Sequence, residues 1–221
     1  MNVTEAINQR HSCRAFLTKA VPLDQIKEIL NKAKRAPSGV NMQPWEVVVA
    51  TGQAKQELST KMKEAFRQGN AEKMEYHYYP TTWVAPFKAR RAETGMQLYE
   101  ALNIKREDKQ QRLKQWEANY DAFNAPAMLL FFIDSTLETG SYLDYGMFLQ
   151  NIMLLAEESG LATCPQGALG EFPQLIKKQL GMAENKILIG GMALGYRDEK
   201  HPVNQYRTPR AELEEFCQFV E

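Results

Sequence analysis

The stretch YLDYGMFLQNIMLLAEES, residues Tyr142–Ser159, has the length of a helix yet is apolar on nearly every side, through Leu143, Met147, Phe148, Leu149, Ile152, Met153, Leu154 and Leu155. Such a helix needs cover all round, either inside a core or against a second subunit. Just upstream, Ala127 to Ile133 is an unbroken apolar run fenced by Pro126 and Asp134; it reads as a central strand and is far too short to cross a bilayer. Downstream, Leu161–Thr163 and Ile187–Leu194 read as strands, separated by a helix carrying Leu175, Ile176 and Leu180. Gly190 and Gly191 either weaken the last strand or admit a close backbone approach.

Toward the other end, Val3, Ala6 and Ile7 mark a short helix, and Ile26, Ile29, Leu30 and Ala33 a second one that stops before Ala36-Pro37-Ser38-Gly39. Trp45–Ala50 reads as a buried strand and Ala54, Leu58, Met62 and Ala65 as one face of a third helix. Alternating strands and helices lean toward an α/β unit with a parallel sheet. Residues 66–125 interrupt this pattern with a polar, aromatic and charged insertion. Tyr76, Tyr78, Tyr79, Trp83 and Phe87 cluster around Pro80 and Pro86, and Leu113, Trp116 and Tyr120 form a stripe on a charged helix. The insertion reads either as cover for the core or as a lid over an active site.

The 221 residues are 44% apolar and 24% charged, an ordinary globular composition. Lys plus Arg number 27 and so do Asp plus Glu, so no chain-wide basic field exists to hold a nucleic acid, and self-association is unopposed. Cys13, Cys164 and Cys217 are an odd set at wide spacing, which fits reduced thiols in a cytoplasmic protein. Met1–Arg10 carries Glu5 and Arg10 and has no apolar core, so no signal peptide is read there. His11, His77 and His201 are isolated, no Cys or His pair has metal-ligand spacing, and neither a dinucleotide-binding glycine fingerprint nor a P-loop is present. Cys164 reads as a small residue in a tight turn rather than a nucleophile.

Four short polar stretches remain. Arg10-His11-Ser12-Cys13-Arg14 flanks a hydroxyl with two guanidinium groups, a plausible anion grip or a solvated helix end. Ala36-Pro37-Ser38-Gly39-Val40-Asn41-Met42-Gln43-Pro44-Trp45 is a fixed loop rich in amide and hydroxyl groups suited to a heterocycle's polar edge. Gly160-Leu161-Ala162-Thr163-Cys164-Pro165-Gln166-Gly167-Ala168-Leu169 reads as a strand running into an exposed Pro-Gln-Gly turn whose backbone N–H groups are open to a flat ligand. Asn204-Gln205-Tyr206-Arg207-Thr208-Pro209-Arg210 adds a second arginine pair.

In this order and at these distances, the four stretches resemble the nitroreductase family of FMN-dependent oxidoreductases, over nearly the whole chain. Tyr79-Pro80, Trp83, Arg90-Arg91 and Gly95 resemble a subgroup that includes reductases of nitroaromatic compounds. The resemblance implies an α+β fold in which a central, mainly antiparallel sheet is flanked by helices. It also implies a single domain over residues 1–221 and an intertwined homodimer whose C-terminal arm, residues 205–221, is swapped onto the partner. The apolar helix would then form the seam, and the insertion a lid.

By the same resemblance Arg10 and Ser12 would hold the FMN phosphate with Arg207 and Arg210, His11 would lie among the cofactor-binding residues, and Arg14 would sit near the flavin N1 and C2 carbonyl. Pro37, Ser38, Gly39, Asn41 and Gln43 would reach in from the partner subunit, and Pro165, Gln166 and Gly167 would lie along the isoalloxazine. Position 39 is Gly where many members carry a second Ser, and position 166 is Gln where some carry Glu. Implied with these is ping-pong hydride transfer through flavin N5 from NADH or NADPH to a small flat acceptor, nitroaromatic first and quinone second. No side-chain nucleophile, metal, membrane or nucleic acid is needed. The alternatives are a reductive dehalogenase or flavin-modifying relative, and a flavin-binding protein without turnover.

Overall fold

The computed structural model describes residues 1–70 and 72–221. Its helices are α1 (Val3–Gln9), α2 (Leu23–Ala33), α3 (Gly52–Arg67), α4 (Phe87–Ala101), α5 (Lys109–Glu117), α6 (Thr139–Glu158) and α7 (Pro173–Leu180), and its strands are β1 (Glu46–Thr51), β2 (Ala127–Asp134), β3 (Ala162–Gln166) and β4 (Lys186–Gly195).

The strands form a sheet in the order β1-β2-β4-β3, with every neighbouring pair antiparallel. This matches the resemblance and corrects the lean toward a parallel sheet. The alternation does hold a parallel relation, because β2 and β3 both run against β4 and so along each other, joined by α6. What the local pattern misses is that β4, last in sequence, slots between them. A crossover helix then no longer implies adjacent parallel strands.

The buried run of β2 serves both faces of the sheet. Met128, Leu130 and Phe132 pack with Leu58 and Met62 of α3 and Ile176 of α7, while Leu129, Phe131 and Ile133 pack with Ile26 and Ile29 of α2 and Tyr145, Phe148 and Ile152 of α6. Period-two alternation of side chains turns one apolar run into the middle layer of two cores. α6 itself buries only one side within the chain: Leu143 is 73% exposed and Met147 39%.

Gly190 and Gly191 realise the close approach. A Cβ at Gly191 would stand 2.5 Å from Leu169 Cδ1 and 2.7 Å from the Leu129 carbonyl, and one at Gly190 would stand 2.9 Å from the Gln166 carbonyl. The β2–β4 register shifts between Phe131 and Phe132 beside them.

The insertion starts later than residue 66, since α3 continues through Arg67. Its first part docks onto α7 and β4. The Glu72 carboxylate accepts from the backbone N–H groups of Gln174 (2.7 Å) and Leu175 (3.1 Å), and Glu75 accepts from the buried Lys177 ammonium (2.7 Å) and from the Leu188 N–H (2.9 Å). Tyr76 donates its hydroxyl proton to the Ile189 carbonyl at 2.5 Å. The Leu113–Trp116–Tyr120 stripe outruns α5, because Tyr120 lies in the following 3₁₀ segment, yet Trp116 Nε1 still donates to the Tyr120 hydroxyl at 3.0 Å.

Candidate functional site

The chain that leaves α1 runs alongside the outer edge of β3. Ser12 bridges Thr163 in parallel fashion, and the Cys13 N–H donates to the Thr163 carbonyl at 2.9 Å. Asn204, nearly fully buried, fastens the other end of the chain to the same place. Its Oδ1 accepts from the Arg14 N–H at 2.9 Å, and its Nδ2 donates to the Ala15 carbonyl (2.9 Å) and the Asp198 carbonyl (2.8 Å). The first, third and fourth polar stretches therefore meet.

Between them lies a polar cavity of about 170 Å³, lined by Arg10, His11, Ser12 and Arg14 on one side and Tyr206, Thr208 and Arg210 on the other, with Thr94 of α4 and Val203 completing it. The Arg14 guanidinium donates to the Ser12 carbonyl (3.2 Å) and the Tyr206 hydroxyl (3.3 Å), which fixes its direction. Burial, and next the neighbouring Arg210 guanidinium, pull the pKa of Arg10 below its ordinary value. A half-buried cation beside an exposed one favours an anion between them. No carboxylate forms an ion pair with Arg10, Arg14 or Arg210 among the described residues. Burial likewise lowers the His11 pKa, so its ring adds a neutral wall at ordinary pH.

Arg207 departs from the expected grip. It is exposed and folds back on its own turn, with Nη1 donating to the Asn204 and Tyr206 carbonyls at 3.0 Å each. Thr94 is not among the expected site residues: it sits mid-helix between Arg90-Arg91 and Gly95, and only the placement of α4 brings it to the cavity.

The third stretch is not an exposed turn. β3 extends through Gln166, whose side chain is buried and whose Nε2 donates to the Asn119 carbonyl (3.0 Å) and Asn119 Oδ1 (3.1 Å). Pro165 is exposed and Gly167 half-buried. A Cβ at Gly167 would meet the Tyr78 ring at 3.1 Å, so glycine here lets an aromatic plane lie on the backbone. Cys164 lies inside β3 rather than in a turn. It is fully buried, and burial raises its thiol pKa, which removes it as a nucleophile.

The second stretch sits elsewhere. Gly39–Asn41 forms a 3₁₀ turn with Val40 and Asn41 at positive φ, as is Gln43 just beyond it, pinned by Gly39 N–H to Asp144 Oδ2 (3.0 Å) and Gln43 N–H to Ser38 Oγ (2.9 Å). Pro37, Ser38, Gly39, Asn41 and Gln43 do not line the cationic cavity of their own chain. The loop lies at the start of α6, with Val40 93% exposed.

The aromatics of the insertion form a row. Tyr142 faces Tyr76 (5.7 Å between ring centroids), Tyr76 faces Tyr78 (6.2 Å), Tyr78 meets Tyr79 (4.7 Å), Tyr79 meets Trp83 (5.5 Å), and the Arg91 guanidinium lies 4.7 Å from the Trp83 ring centre. The row passes over Gly167. Among the described residues no cluster of metal-ligating side chains occurs, and no helix is long and apolar enough to cross a membrane.

The Nitroreductase family matches residues 7–196. A chloronitrobenzene nitroreductase of Comamonas testosteroni is 39% identical over 99% of this chain and 96% of its own length. A 4-nitrobenzoate reductase of Pseudomonas putida is 37% identical over 97% and 93%. The FMN and NADPH-dependent nitroreductase NfnB of Sphigopyxis sp. strain HMH superposes over the whole of both chains with a TM-score of 0.96 at 35% identity. NfnB of Mycobacterium smegmatis, solved in complex with NADPH, superposes over both full chains with a TM-score of 0.93 at 29% identity. The match of the family across most of the chain, with full-length relatives well above 30% identity and the same antiparallel sheet, shows that this chain belongs to the nitroreductase family.

Proposed function

We propose that this protein reduces nitroaromatic compounds with NADPH or NADH, using bound FMN. The observation that carries this reading is the meeting of Arg10, Ser12, Arg14 and Arg210 in one polar cavity at the edge of β3, in a chain aligned end to end with nitroaromatic reductases. Unpaired guanidinium groups with hydroxyls from Ser12, Thr94 and Thr208 fit a phosphate monoester, which supports FMN as the ligand.

When bound, FMN supplies two-electron hydride transfer from the nicotinamide to the acceptor, in alternating half-reactions. Arg10, Ser12 and Arg210 would hold the phosphate beside His11, with Arg207 available to them only if it gave up its bonds to the Asn204 and Tyr206 carbonyls. Arg14, held by Tyr206, would supply a fixed positive charge at the N1 edge of the ring, where it would favour the negative charge of the reduced flavin. At the end of β3, Gln166 and Gly167 would offer backbone N–H groups along the ring beside Pro165, and the Gln166–Asn119 bonds hold that end still. Tyr78, Tyr79 and Trp83 wall the ring face, exclude water and favour flat acceptors.

The working unit is a homodimer. Leu143 and Met147 of α6, Val3 and Ile7 of α1, and Val40 and Met42 of the 37–43 loop all lie exposed, a face that a second copy would cover. Such a copy brings Ser38, Gly39, Asn41 and Gln43 toward the flavin of its partner, and the exposed Phe216, Phe219 and Val220 anchor the C-terminal arm. Anaerobic turnover with 4-nitrobenzoate, a quinone and a halogenated phenol tests the acceptor class. Nitro reduction fastest of the three supports the reading, and dehalogenation without nitro reduction overturns it.

A further inference from the structure

A groove of about 1040 Å³, more capacious than the phosphate cavity, lies on another face of α4, closed by the turn that leads into α5. Its walls carry Lys88 and Arg91 from α4, Lys105 and Arg106 from the turn, and Arg112 from α5, against the two carboxylates of Glu100 and Glu107. None of these cations forms an ion pair among the described residues. In a chain whose formal charge is zero, this is a local excess of unpartnered positive charge around a concave surface.

The groove also offers flat surfaces. The Arg112 guanidinium lies 5.0 Å from the Tyr99 ring centre, and a neighbouring hollow shares Tyr99 and Arg112 and ends on Trp116, which is 44% exposed. Its rim connects to the flavin site through Arg91, which caps the aromatic row Trp83, Tyr79, Tyr78 that ends on Gly167. Anionic and aromatic recognition at one end, with a short path to the site of hydride exchange at the other, fits an extended dinucleotide. A phosphate monoester next to a purine is the chemistry these walls match: guanidinium and ammonium groups for the phosphate, and exposed ring or guanidinium planes for the base.

We propose that the groove between α4 and the Lys105–Arg106 turn binds the 2′-phosphoadenosine end of NADPH, with Lys105 and Arg106 taking the 2′-phosphate and the Tyr99–Arg112 pair and Trp116 flanking the adenine. This rests on the hydride-donor reading above and sharpens it to a preference for NADPH over NADH.

The test is calorimetric titration of the FMN-loaded protein with 2′,5′-ADP and with 5′-AMP, which differ by the 2′-phosphate. Loss of two charge-assisted contacts predicts that 5′-AMP binds at least about 10-fold more weakly, and that the double variant Lys105→Ser, Arg106→Ser, two exposed positions, abolishes the difference. The same variant raises KM for NADPH about 10-fold while KM for NADH and for 4-nitrobenzoate stay put. Equal binding of the two nucleotides, an unchanged 2′,5′-ADP affinity in the variant, or a rise in KM confined to 4-nitrobenzoate overturns the assignment. A flavin that NADPH fails to bleach while 2′,5′-ADP still binds selectively overturns the hydride-donor reading alone.

Discussion

Asn204, a single buried amide, ties together the two distant parts of the chain that form the cationic cavity, satisfying Arg14 N–H, the Ala15 carbonyl and the Asp198 carbonyl at once. Around it Arg10 stands half out of water and beside Arg210, an arrangement that costs energy until an anion arrives. Arg10→Ala should therefore weaken FMN binding by roughly 10-fold or more, the worth of one charge-assisted contact, and leave far-UV circular dichroism unchanged. Fluorescence titration of stripped protein with FMN measures it. The residues legible in the sequence were those packed into short runs: Arg10, Ser12 and Arg14 announce themselves because one turn of chain carries two cations and a hydroxyl. Thr94 announces nothing, since its role comes only from where α4 is laid. Arg207 and Gln166 show the reverse. Their side chains have the chemistry of ligand groups, yet one is spent on the carbonyls of its own turn and the other on Asn119.

The elements show where pattern stops informing. β2 was readable from its unbroken apolar run, because burial leaves its mark residue by residue, and α6 from an apolarity that its own chain covers on one side only. Strand direction leaves no such mark. It depends on β4 entering between β2 and β3, a pairing set by long-range contacts and permitted by Gly190 and Gly191, where a side chain would strike Gln166, Leu169 and Leu129. The Asp121–Phe123 stretch, where the backbone leaves helical geometry with Ala122 and Phe123 at positive φ, also carries no sequence signal for its kink. The insertion is stitched to the core chiefly by carboxylates. Glu72 meets the free N–H groups at the start of α7, where a negative charge is favoured. Glu72→Ala should lower stability by about 1 kcal/mol, as losing a helix cap does, and chemical denaturation with an unchanged m-value would register it.

At the scale of the whole molecule, zero net charge conceals two separate concentrations of cations, the cavity at β3 and the groove on α4. It also leaves the apolar outer side of α6 free to meet a second copy. In the proposed dimer, Leu143→Asp places a charge on that exposed face and should leave only monomer in sedimentation at micromolar concentration, with weaker FMN binding if a partner's loop completes the site; a dimer of unchanged stability would contradict the proposed shared site. The central claim is that this chain holds FMN in the Arg10–Arg210 cavity and cycles it between a nicotinamide donor and a nitro acceptor. Anaerobic visible absorption of the purified protein tests it most directly. The account predicts a flavin spectrum that NADPH bleaches and 4-nitrobenzoate restores. A protein that neither carries nor takes up FMN, or whose bound flavin stays oxidised in NADPH, would contradict it.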